Sequence, residues 1–175
     1  ADITAEVGVA HRLDELSSPD KLFVVTGVAH AAAVSRQLAS VPEGNVLVEP
    51  SPRDSCAAIA LAAAVIARRD PDAIMGSFAS DHLIAHKDEF AEVIRKAMVG
   101  AREGLLMTLG ITPTRPETGY GYLQCGGVIG DGPVLAVEEF KEKPSYDVAE
   151  SYVKSGNYLW NAGMFVWRVD VFLAE

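Results

Sequence analysis

Cysteine is scarce: 175 residues hold two, Cys56 and Cys125. Two thiols provide neither a disulfide framework nor the paired spacing of a metal site. Their apolar and glycine-rich surroundings predict reduced packing residues. Basic residues are also in short supply, with 15 Lys and Arg against 24 Asp and Glu and a net charge of −9. Nucleic-acid binders carry a basic face, so that class is set aside. Phosphate ligands are not, because a few local cations and backbone N–H groups hold them. Long hydrophobic runs are missing too. The longest, residues 56–67, is about half of the ~20 residues that a membrane span requires. No signal peptide is visible. A soluble, cytoplasmic protein is expected, with no nucleic-acid or membrane partner. The first residues (5–16) read as the inside of a helix and the last (171–175) as a helix start, so a fragment of a longer domain is expected.

What is present is an alternation of strand and helix signals. Residues 22–26 form a short β-branched run closed by Gly27, and residues 29–38 read as a helix. Residues 45–48 are a second strand, ended by Pro50 and Pro52. Residues 53–69 are an alanine-rich helix of high intrinsic propensity. Residues 73–78 are a third strand. Residues 87–102 carry an apolar stripe at helical period, Phe90, Val93, Ile94, Ala97 and Ala101, with Gly104 as the stop. Residues 105–111 are an almost uncharged strand, expected to be buried on both faces. Residues 112–133 are rich in Gly, Pro and Thr and read as loops and hairpin strands. Residues 134–143 alternate as a strand, 146–155 read as a helix with Gly156 behind it, and 158–169 are aromatic and β-branched around a turn at Asn161. The pattern predicts an α/β domain over residues 1–175, with a mostly parallel, mixed sheet and helices on both faces. Ligands of such sheets collect beyond the carboxyl ends of strands.

Several chemistry-bearing residues fall at those ends. Asp81 follows the third strand and could hold a Mg²⁺ ion that bridges phosphate oxygens, or be a turn or cap aspartate. His82 beside it could ligate or be structural. Arg53 stands at a helix N-terminus, where anions bind, or is a surface arginine; Asp54 and Ser55 read as helix caps. The glycines of Thr118-Gly119-Tyr120-Gly121 let backbone approach a ligand closely, or make an ordinary turn. In Glu142-Lys143-Pro144 the carboxylate could accept two sugar hydroxyls and the ammonium could meet a phosphate. Neighbouring strand residues point to opposite faces, so both reach one ligand only if the strand ends or bulges there, as Pro144 permits. Otherwise they are an exposed Glu-Lys pair. Asn161 could bind hydroxyls or form a turn.

In order and spacing, these segments resemble the mannose-1-phosphate guanylyltransferase family, within the sugar-phosphate nucleotidyltransferases. The resemblance rests on Glu49-Pro50 with residues 53–59, on Ala79-Ser80-Asp81-His82, on Arg115-Pro116-Glu117-Thr118-Gly119-Tyr120-Gly121-Tyr122, on residues 140–144 and on residues 158–165. It implies the family's Rossmann-like nucleotidyltransferase fold in a single, partial catalytic domain, with sugar binding at roughly 112–168. It further implies guanylyl transfer from GTP to mannose 1-phosphate, giving GDP-mannose and pyrophosphate. Asp81 would hold the catalytic Mg²⁺, and Lys143 would bind the sugar phosphate. Thr118, Gly119 and Tyr120 would line the sugar pocket, and Glu142 and Asn161 would contact the sugar. Arg53 and Ser55 would lie near the base. The family's Gly-x-Gly-x-Arg phosphate loop and second metal-binding aspartate have no counterpart here, so the chain by itself is expected to be a poor catalyst. The alternatives are a non-catalytic binder of sugar phosphate or nucleotide sugar, or a same-fold enzyme for another sugar or nucleotide. A homo-oligomer is left open.

Overall fold

The computed structural model describes Leu13 and residues 15–175. Of the helix expected over residues 5–16, all but Leu13, Glu15 and Leu16 lies outside the described residues. The chain divides into two compact units: the residues up to Leu106 with Val166–Glu175, and Met107–Phe165.

In the first unit, β1 (Val24–Gly27) and β2 (Val46–Glu49) pair in parallel, Val24 opposite Val46 through Gly27 opposite Glu49. Parallel neighbours need a crossover, and helix α1 (Val28–Gln37) supplies it. Val34, Leu38 and Val41 of that crossover pack with Leu22, Val24 and Val46 into a small core. Asn45 is buried beside it, and a buried amide must find partners. Its nitrogen donates to the carbonyls of Asp20 (2.8 Å) and Leu22 (3.0 Å), and its oxygen accepts from Arg69 (2.7 Å). Arg69 ends α2 (Asp54–Arg69), so one side chain ties that helix to the start of the β1–β2 pair. Ala62 and Ala63 are the buried part of α2.

Strand β3 (Ile74–Ser77) leads through an exposed segment to α3 (Lys87–Arg102). The buried stripe of α3 is Phe90, Ala91, Ile94, Ala97, Gly100 and Ala101. Val93, expected in it, is 45% exposed, and Ala91 takes the inner place. Phe90 meets Phe78 edge-on at 5.6 Å. The final helix, α5 (Val169–Ala174), begins with the Val169 N–H donating to the Ala73 carbonyl.

The second unit is a sheet in the order β4-β7-β5-β6, built from β4 (Met107–Ile111), β5 (Gly121–Ile129), β6 (Val134–Glu142) and β7 (Tyr158–Arg168, to Phe165 within this unit). β5 is antiparallel to both β6 and β7. Helix α4 (Tyr146–Ser155) joins β6 to β7. The fold is therefore α/β with mixed pairing: parallel at β1–β2, antiparallel around β5. Tyr122 and Ala149 are fully buried with Trp160, and Tyr152 and Tyr158 pack against them. The last two rings stack at 3.9 Å.

Four expectations need correction. β4 is not buried on both faces: among the described residues it pairs with β7 alone, its residues are half-buried to exposed, and Ile111 is 49% exposed. Lack of charge does not by itself imply burial, because much protein surface is apolar. Cys56 is exposed rather than packed, because it sits in the open first turns of α2; Cys125 is half-buried, and both are free thiols. Asp54 and Ser55 are not caps: Arg53 holds that position, and its side chain makes no cap bond. The turn expected at Asn161 is absent as a break, since β7 runs through it unbroken. The local deviation is absorbed at Gly163, whose φ of +64° falls where only glycine sits without strain.

Candidate functional site

A group of expected site residues tied together by hydrogen bonds lies in the second unit, around the loop from β4 to β5. Tyr122 anchors that loop from below. Its buried hydroxyl accepts the Glu117 N–H and donates to the Glu117 carbonyl, each at 2.9 Å. The Glu117 side chain folds the loop from above. One carboxylate oxygen accepts the Gly119 N–H at 3.2 Å, and the other pairs with Arg115 at 3.2 Å. The Gly119 N–H, and after it Arg115, hold the Glu117 carboxyl below the usual carboxylate range. Thr118, Gly119 and Tyr120 are left exposed at the crest.

The Glu142–Lys143 step lies beside this crest. Gly121 is the register partner of Glu142. β6 ends there, and Lys143 leaves it with φ +44°, one of two non-glycine residues in the left-handed region among the described residues. The Lys143 N–H donates to the Tyr120 carbonyl at 3.2 Å, which fixes the departure to the loop. Regular strand geometry would send the two side chains to opposite faces. Instead Lys143 Nζ comes within 3.2 Å of Glu142 Oε1. A cation and a carboxylate thus share one exposed side. Gly121 makes room for them: a Cβ there would lie 2.7 Å from the Phe140 ring and 3.0 Å from Glu142 Oε2.

Asn161 is half-buried in β7. Its Oδ1 accepts the Thr108 hydroxyl at 3.0 Å and the Gly163 N–H at 3.2 Å. Those bonds occupy the amide oxygen and fix the amide plane. Thr108 and Tyr122, which orient these groups, and Trp160, which forms a T-shaped pair with Tyr120 at 5.3 Å, were given no site role in the sequence reading, although Tyr122 and Trp160 stand within the motifs that carry the resemblance. The available signal was aromatic density: Tyr122 stands at the end of the glycine motif and Trp160 directly before Asn161.

In the first unit, Arg53 and Ser55 flank Asp54 at the start of α2, and all three are exposed. Asp54 is the other left-handed residue, with φ +63°. Asp tolerates that region better than most residues. Asp81 lies in an exposed turn after β3, and His82 beside it is half-buried. Among the described residues, no three His, Cys, Asp or Glu side chains cluster as a metal site. Cys125 is no activated nucleophile, because burial pushes its thiol up. Among the described residues, no helix is long and apolar enough to cross a membrane.

The class these observations define is a mixed α/β protein that gathers a cation–carboxylate pair and a glycine-bearing loop at its strand ends. The family model for nucleotidyl transferases matches residues 9–175, and the chain belongs to that family. It is 45% identical over 168 residues to the mannose-1-phosphate guanylyltransferase of Escherichia coli K12, an alignment covering 92% of this chain and 34% of the relative. It is 41% identical over 145 residues to that of Sinorhizobium fredii, covering 82% of this chain and 28% of the relative. Among solved structures, it superposes with a TM-score of 0.85 and 28% identity on mannose-1-phosphate geranyltransferase from Thermus thermophilus, covering 98% of this chain and 49% of that one. On mannose-6-phosphate isomerase from Helicobacter pylori the TM-score is 0.83 at 29% identity, covering 98% and 64%. The chain therefore spans about a third of the length of the curated relatives it matches.

Proposed function

We propose that this chain is the sugar-phosphate-binding part of a mannose-1-phosphate guanylyltransferase, transferring a guanylyl group from GTP to mannose 1-phosphate. The observation that carries the reading is the left-handed exit at Lys143, which turns a strand-end Glu-Lys step into a paired carboxylate and ammonium on one side. A carboxylate there accepts from vicinal sugar hydroxyls. The ammonium beside it, at present neutralised by Glu142, meets the phosphate as a point charge. Thr118, Gly119 and Tyr120 line the sugar, Asn161 donates to a hydroxyl, and Arg53 and Ser55 serve the base. The names of the aligned relatives support the sugar and the nucleotide.

In the reaction, an oxygen of the sugar phosphate attacks the α-phosphorus of GTP in line. The new O–P bond forms as the bond to the β-phosphate bridge breaks, and pyrophosphate leaves with that electron pair. Residues of this chain bind and orient the attacking phosphate and offset its charge, the kind of contribution that dominates phosphoryl chemistry. Mg²⁺ belongs to the proposal. A hard divalent ion takes one or two carboxylates together with substrate phosphates, and the single exposed carboxylate of Asp81 fits as a partial ligand set. When bound, such an ion neutralises phosphate charge.

The test is a panel: four nucleoside triphosphates against mannose 1-phosphate and glucose 1-phosphate, with and without Mg²⁺, reading pyrophosphate release by the full-length protein and binding by this chain. Release confined to GTP, mannose 1-phosphate and Mg²⁺ is expected. Release with another pair would replace the assigned substrates. Binding without release by the full-length protein would favour a non-catalytic sugar-phosphate binder.

A further inference from the structure

Resting on that reading of the same site, we propose that Trp160 is a positioning residue: its ring is the platform on which the Arg115–Tyr120 loop is set, and through that loop it holds Lys143 in place. Trp160 is 8% exposed and pairs across the sheet with Tyr122. The two grip the loop at separate points. Tyr122 holds the Glu117 backbone. Trp160 forms a T-shaped pair with Tyr120, with ring centroids 5.3 Å apart at 83°, and has Arg115 over its ring at 5.7 Å. Edge-to-face and cation–π contacts both need an aromatic face, not merely apolar volume. The same Tyr120 offers its carbonyl to the Lys143 N–H. A loosened Tyr120 therefore releases the backbone that points Lys143 toward Glu142.

The indole N–H separates this role from simple packing. It is buried with no hydrogen-bond partner, and a buried donor without an acceptor disfavours Trp at a position that needed only volume. Phenylalanine would keep the aromatic face and lose no hydrogen bond. Leucine would keep much of the volume and lose the face.

The experiment compares Trp160→Phe and Trp160→Leu in this chain by three readouts: amide exchange at Gly119 and Lys143, affinity for mannose 1-phosphate, and thermal midpoint. Leu is expected to speed exchange at both amides and weaken binding by about tenfold, the scale of one edge-to-face pair plus one partly exposed cation–π contact. Phe is expected to restore both to within about threefold of the parent, allowing for its weaker cation–π face. Equal losses in Phe and Leu that track the thermal midpoint would overturn the proposal, as would unchanged exchange in Leu. Should the Leu variant not fold, Arg115→Gln removes a partner from the loop side and should speed exchange at Lys143; no change there would also overturn it. If mannose 1-phosphate does not bind the parent, the substrate reading fails, while the exchange data still decide the role of Trp160.

Discussion

The two sets of strand-end residues are held very differently. In the second unit, the loop toward Tyr120 is held at several points: by the Tyr122 hydroxyl, the Glu117 carboxylate and the Lys143 N–H on its backbone, and by the Trp160 ring on its side chains. In the first unit, Arg53, Ser55 and Asp81 stand exposed, and Arg53 makes no capping bond at the helix it begins. Both regions contain a non-glycine residue at positive φ, Lys143 and Asp54. At Lys143 a hydrogen bond to the neighbouring loop, from its N–H to the Tyr120 carbonyl, explains how the conformation is kept. Preorganised groups lower the ordering cost of binding, so on the proposed function the loop of the second unit is the better prepared of the two.

The sharpest way to break this contrast is to remove the charge at its centre. Lys143→Ala should cut turnover of the full-length protein by ~10²-fold or more, the scale for losing a main electrostatic stabiliser. Arg53→Ala should leave sugar-phosphate affinity unchanged. Steady-state kinetics with titration calorimetry check both, and equal losses in the two variants would erase the distinction. Next in size is a control confined to the first unit. Asn45→Ala deprives the Asp20 and Leu22 carbonyls and Arg69 of their partner. It should cost about 2–3 kcal/mol in denaturant unfolding, given ~1 kcal/mol per net bond lost, with affinity for sugar phosphate unmoved. Tyr122→Phe should cost less, about 1–2 kcal/mol, because it orphans one donor and one acceptor of Glu117. Unlike the Asn45 change, it should weaken sugar-phosphate binding.

The alternation of elements, the boundaries of α3 and α4, and the glycine stops behind them were legible, because hydrophobic period and helix-ending glycines are local signals. The Glu142–Lys143 conflict was legible too. A regular strand cannot present both residues to one ligand, and Pro144 marked where regularity ends. Burial was not legible at Cys56, Val93 and β4, because a single sequence carries no record of which apolar residues face a neighbour. Nor were Tyr122 and Trp160, which look like ordinary core aromatics until their cross-strand pairing and their grip on one loop are seen.

The smallest expected effect is on pH. Glu117 has a lowered pKa in the folded loop, first through the Gly119 N–H and then Arg115. Its charged form is the better bonded one, so its contribution is fully present above the ordinary carboxylate pKa of about 4.3 and is lost as pH falls through the lowered value. Exchange at the Gly119 amide should accelerate, beyond its intrinsic pH dependence, only on acidification below the ordinary carboxylate range. In Glu117→Gln that excess acid step should be absent.

The most direct test of the central claim is a titration of this chain with mannose 1-phosphate, followed by the amide resonances of Gly119, Tyr120 and Lys143 and the indole N–H of Trp160. The account predicts saturable shifts at all four, weakened or abolished by Lys143→Ala. Saturable binding that leaves these four resonances still would place the sugar phosphate elsewhere and contradict the account.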